Sequence, residues 1–118
     1  MKIAFDVDDT LIIPSVATGF PTDTPNYEVI ALYRWFQAQG HYMIIWSGSG
    51  VDYAKRWAEK LGLHADEFPV KQTGTDVDLA FDDVSNALLG KVTVQVKRFN
   101  SSARREDQDE WTWNRTNA

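Results

Sequence analysis

Two aspartates separated by one residue, Asp6 and Asp8, close a short apolar run near the start of the chain. A second acidic pair, Asp82-Asp83, closes another apolar run, Leu79-Ala80-Phe81. Ser47 follows a third, Ile44-Ile45-Trp46, and Lys71 lies between Ser47 and the second pair. An acidic pair that closes a buried strand lacks a packing purpose and calls for a chemical one. If Asp6, Asp8, Asp82 and Asp83 converge, each close pair repels by about 4 kcal/mol at an effective dielectric of roughly 20 and a separation of about 4 Å. A cation must offset that. Oxygen-rich sites completed by water suit Mg²⁺, and Lys71 can offset part of the charge without replacing the metal. Phosphoryl groups need the same compensation, and catalysis of their transfer is largely positioning and electrostatics.

The elements that would position these residues follow from the hydrophobic pattern. Residues 2–7 read as a buried strand. Residues 9–23 read as a loop, since Pro14, Gly19 and Pro21 exclude a long helix. A helix is expected from Thr24 as N-cap with Pro25 at its first position, with Val29, Leu32, Tyr33 and Phe36 forming an apolar face and Gly40 closing it. Residues 41–46 form a second strand. A second helix opens with Ser49 as N-cap and Asp52 at the capping-box spacing, buries Val51, Ala54, Ala58 and Leu61, and ends at Gly62. Residues 67–71 suggest a short third strand, with Pro69 better suited to an edge. Residues 77–81 form a fourth strand, residues 85–89 a short helix and residues 92–96 a last strand. This alternation implies a mostly parallel central sheet covered on both faces, a three-layer α/β/α Rossmann-like sandwich. In open sheets of that kind, ligands sit beyond the carboxyl ends of the strands, where all the singled-out residues fall.

Phe5-Asp6-Val7-Asp8-Asp9-Thr10-Leu11 resembles the signature of the haloacid dehalogenase (HAD) superfamily, an Asp-x-Asp-x-Thr/Val motif after the first strand. Ser47 matches its second motif, Lys71 its third and Asp82-Asp83 its fourth, all in order, so the resemblance covers most of the chain. It implies a capless HAD-like phosphatase, a Mg²⁺-dependent phosphoric monoester hydrolase. By that resemblance, Asp6 would attack phosphorus and form an aspartyl-phosphate, and Asp8 would act as general acid and then base. Asp6, the main-chain carbonyl of Asp8, and Asp82 would hold Mg²⁺, with Asp83 supporting the metal or its waters. Lys71 would hold the nucleophile and the phosphoryl group, and Thr10 would brace the turn. The substrate side would be completed by Thr10, Ser47 and Gly48, with main-chain N–H groups of Asp9 and Gly48 as phosphate donors. Two departures stand out. Asp9 replaces the Gly often found there, and Gln72 follows Lys71 where many members carry Pro, with a spacing to Asp82 like that of the smallest capless members. Lys55 and Lys91 fit the third motif less well by position.

Each assignment has a structural alternative: turn acids for Asp6 and Asp8, a helix cap for Asp83, a turn cap for Ser47 and a solvated lysine for Lys71. His41 and His64 read as surface or strand-start residues, and Trp35, Trp46 and Trp57 as core or interface.

The 118 residues fit one domain, taken as 1–99, followed by a polar tail, 100–118, with Trp111 and Trp113 on one side of an extended segment. Hydrophobic residues make up 43%, enough for a core. The net charge of -5 argues against a nucleic-acid duplex as main ligand; nucleic acid enters only as an end-phosphate substrate. The chain has no cysteine, no signal-like start and no apolar run of the ~20 residues a membrane span needs, so a cytoplasmic protein without membrane association is expected. No insertion is long enough for a cap, so the open site suits a bulky phosphorylated molecule or sugar-phosphate, unless a second copy in a homo-oligomer covers it, with residues 15–20 selecting the leaving group. Two other classes compete. A response-regulator receiver would need its acceptor acid after the third strand, where none occurs. A catalytically silent interaction module on the same scaffold would have no need of Asp6, Asp8 and Asp82.

Overall fold

A computed structural model describes residues 1–84 and 88–97. The chain forms an α/β domain whose main sheet has four strands, all parallel: β1 (Lys2–Asp6), β4 (Tyr42–Trp46), β5 (Leu79–Asp82) and β6 (Val92–Gln95), in the order β4-β1-β5-β6. The chain moves from β1 to β4 on one side, then returns to place β5 on the other. The direction of strand addition therefore reverses between β1 and β5, the kind of position where parallel sheets open a crevice.

The period-2 alternation of the central strands sorts their side chains into two layers. Ile3, Phe5, Met43, Ile45 and Phe81 join Val29, Ile30 and Tyr33 of α2 (Tyr27–Ala38) and Ala54 and Ala58 of α3 (Val51–Leu61) in the larger apolar cluster. Ala4, Ile44, Trp46 and Ala80 form a smaller one with Val77 and Leu89 from the flanking segments. Both long helices thus serve one face. The helix expected over 85–89 to cover the other falls mostly outside the described residues, as do the tail and its Trp111 and Trp113.

The loop expected over 9–23 contains a two-residue strand, β2 (Ile12–Ile13), and a four-residue helix, α1 (Ser15–Thr18). β2 pairs antiparallel with β3 (Thr24–Pro25), making a small hairpin that carries the exposed Val16 and Phe20. That pairing overturns the expected helix start. Thr24 and Pro25 are held against Ile13 and Ile12, so α2 begins only after Asn26, whose side chain accepts the Val29 N–H. The rotation of α2 also differs: Ile30 is buried and Leu32 exposed.

For α3 the N-cap is Gly50 rather than Ser49. Gly50 has φ 108 and ψ 169, a conformation open essentially only to glycine, and the Ser49 N–H turns back to Ser47 Oγ. The C-terminal stop at Gly62, with φ 68, is as expected. The expected third strand over 67–71 is reduced to a single parallel bridge between Glu67 and Ile44. Asp66 and Glu67 bond to Met43 and Ile45, and Pro69, which has no N–H, cannot extend the ladder.

Candidate active site

The site begins with sheet register. Phe5 pairs with Phe81 in parallel, and their rings stack with centroids 4.4 Å apart on the helix-covered side. The next residue on each strand, Asp6 and Asp82, therefore emerges beside the other at the carboxyl ends, turned to the opposite face. Asp83 follows directly. Carboxylate oxygens of Asp6, Asp82 and Asp83, one from each, lie within 4.8 Å of one another, and all three residues are buried.

Lys71 reaches into this group from the connecting segment. Its Nζ lies 3.0 Å from Asp6 Oδ1 and 2.6 Å from Asp82 Oδ2, so one ammonium bridges two strand ends. The other Asp82 oxygen accepts the Val84 N–H at 3.0 Å. Thr10, fully buried, turns its hydroxyl to Asp6 Oδ2 at 3.5 Å, while its N–H joins the tight turn closing on Val7. Burial raises the Asp6 carboxyl to about 6, helped by the Asp82 charge, although Lys71 and the Val7 N–H pull the other way. Burial opposes the Lys71 charge, but Asp6 and Asp82 outweigh it and hold its ammonium above the ordinary range.

Asp8 stands apart from the three buried carboxylates. It is half-buried, and its Oδ1 accepts a hydrogen bond from Tyr53 Oη at 2.7 Å. Burial, then the Asp8 contact, pushes the Tyr53 phenol up to about 12, so it remains a donor at neutral pH. Asp9 has φ 60, the left-handed region. This explains why a glycine suits the position, and aspartate is among the few other residues that tolerate it. Ser47, buried, follows Trp46, which pairs with Asp6; its Oγ accepts the Ser49 N–H at 3.0 Å, leaving its own proton to donate. Gly48 is exposed on the same turn.

The structure thus gathers Asp6, Lys71, Asp82 and Asp83 tightly, with Thr10 behind Asp6. Asp8 lies two residues beyond Asp6 on the same turn, and Ser47 and Gly48 follow the strand beside it. Lys91 is engaged elsewhere, 3.2 Å from Asp78, and Lys55 is exposed on α3. His64 is exposed, and His41 meets the N-terminal amine. Trp46 is fully buried, Trp57 packs against the main cluster, and Trp35 is 56% exposed.

Tyr53 was missed in the sequence. A tyrosine inside an amphipathic helix reads as packing; the available signal was its place one turn into the helix that follows Ser47, close to the carboxyl ends of the strands.

Chemically, the donor set is all oxygen and suits a hard cation such as Mg²⁺. Three carboxylates share the site with one ammonium, which leaves room for a further positive charge. No family model matches the sequence, and no curated protein matches it.

Proposed function

We propose that this chain is a Mg²⁺-dependent phosphoric monoester hydrolase of HAD type, with Asp6 as nucleophile. The observation that carries the reading is the meeting of Asp6 and Asp82 across the β1–β5 seam, bridged by Lys71 and joined by Asp83. Strand addition reverses beside β1, and the acids lie at the carboxyl ends on either side of that reversal, which adds support.

Asp6, Asp82 and Asp83 would hold Mg²⁺ through their carboxylates, and Asp8 through its main-chain carbonyl. The ion, when bound, supplies charge compensation for the carboxylates and the phosphoryl oxygens. The chain's own residues do the rest. An Asp6 oxygen forms a bond to phosphorus as the bond to the leaving oxygen breaks. The bonding pair goes to that oxygen, which takes the Asp8 proton. A water oxygen then bonds to phosphorus, the aspartyl P–O pair returns to Asp6, and the water's proton goes to Asp8. Lys71 holds Asp6 in place and meets the phosphoryl oxygens, with Ser47 and the N–H groups of Asp9 and Gly48 as further donors.

Between β1 and α2 the chain forms the short β2–β3 hairpin with α1, which is far too small to act as a cap domain. A bulky phosphorylated substrate is therefore favoured, with Val16 and Phe20 touching its leaving group. Hydrolysis of 4-nitrophenyl phosphate tests the assignment. Activity should require Mg²⁺, vanish on chelation, and fall at least about a thousandfold in Asp6→Asn with folding unchanged. Equal activity in wild type and Asp6→Asn would refute Asp6 as nucleophile, and a wild type without Mg²⁺-dependent activity would return the chain to the silent-module reading.

A further inference from the structure

A carboxyl group that gives a proton and later takes one back must present its reacting oxygen in a fixed direction. Asp8 lies on the turn after β1, outside the buried carboxylate group, and its one side-chain partner identified among the described residues is Tyr53 of α3. Tyr53 is half-buried and packed against the main apolar cluster, so its ring is held from behind. Trp57, one helical turn further along α3, lies on the same face and packs against the same apolar cluster. The phenol has a single proton and donates it to Asp8 at 2.7 Å. The Trp57 ring is in turn flanked by Lys60, whose Nζ lies 4.8 Å from the ring centroid.

We infer that Tyr53 is a positioning residue for Asp8, holding Oδ1 through its hydroxyl so that Oδ2 alone carries the mobile proton. The inference rests on the acid–base role proposed for Asp8. In the first half-reaction Oδ2 gives its proton to the leaving oxygen as that oxygen receives the P–O pair. The new carboxylate keeps its Tyr53 partner. In the second half Oδ2 takes the proton of the attacking water as the Asp6–phosphorus pair returns to Asp6.

Leaving-group dependence separates positioning from packing. The 2,4-dinitrophenolate ion departs without a proton, whereas an alkoxide needs one. The enzyme with Mg²⁺ is assayed on 2,4-dinitrophenyl phosphate and on 2-phenylethyl phosphate, as wild type, Tyr53→Phe, Asp8→Asn and the double variant. Tyr53→Phe should lower kcat/KM on the alkyl ester about ten- to a hundredfold and leave kcat/KM on the dinitrophenyl ester within about twofold. The reason is that kcat/KM reports the steps through departure of the leaving group, before the water step common to both esters. In the Asp8→Asn background it should add no further loss. Equal losses on both esters, or an additive loss in the double variant, would overturn the inference and leave the phosphatase reading intact. Should Tyr53→Phe fail to fold by circular dichroism, Tyr53→Met carries the same test, with an alkyl-selective loss expected and a uniform loss or no loss overturning it. A wild-type chain inactive on both esters would instead sink the phosphatase reading and this inference with it.

Discussion

Asp6 is held in a state that folding alone does not favour. Its carboxyl, raised to about 6 by burial and by Asp82, would ionise near the ordinary 3.8 in the unfolded chain. A raised acid binds more protons folded than unfolded, so between about pH 4 and 6 the metal-free fold loses stability from this group as pH rises. Above that window the full cost is present. Asp6→Asn removes the titration. In chelator, urea unfolding should therefore show Asp6→Asn gaining on wild type more at pH 7.5 than at pH 4.5. A gain that does not change with pH would contradict the strained-carboxylate picture. The acids themselves were legible because each closes an apolar run, where a solvated charge has no packing reason to sit. The Tyr53–Asp8 contact was not, because it depends on how α3 is rotated against a turn far away in sequence.

At the scale of elements, register does the positioning, and the short turns decide where each element starts. The strands carrying the acids could be read from their apolar runs, and their parallel order from the alternation with helices. The start of α2 could not. Thr24 and Pro25 carry the start signals, and the non-local pairing of both with Ile12 and Ile13 moves the cap to Asn26. The start of α3 turns on backbone shape. A Cβ added at Gly48 or at Gly50 would meet nothing within 4 Å, yet only Gly50 has positive φ. Gly50→Ala should cost about 1–3 kcal/mol of stability, while Gly48→Ala should stay within about 0.5 kcal/mol of wild type. Chemical denaturation of the two variants side by side measures the difference, and equal effects would mean that the helix start adapts. Lys71 shows the converse case. The segment carrying it is barely a strand, yet its ammonium arrives between Asp6 and Asp82, because two buried carboxylates attract any long cation within reach.

For the whole molecule, an acidic protein of net charge -5 concentrates three of its carboxylates in one buried place. Among the described residues no helix is long and apolar enough to cross a membrane. A cation that binds the folded site and not the open chain stabilises by mass action, by about 2.7 kcal/mol at a hundredfold excess over Kd. For a chain of this size that corresponds to a rise of about 10 °C or more in Tm. Thermal unfolding with and without Mg²⁺ should show it in wild type and lose most of it in the Asp82→Asn, Asp83→Asn double variant. An equal Mg²⁺ response in both would place the ion elsewhere.

The β1–β5 seam also bears on how the protein comes into being. A growing chain that has finished α3 already owns β1, β4, both long helices and most of the larger apolar cluster. It has Asp6 but neither Lys71 nor Asp82. Under the proposed function, turnover would wait for β5 to dock beside β1, a long-range contact and so a slow one to form. Activity would then double as a report that this seam has closed.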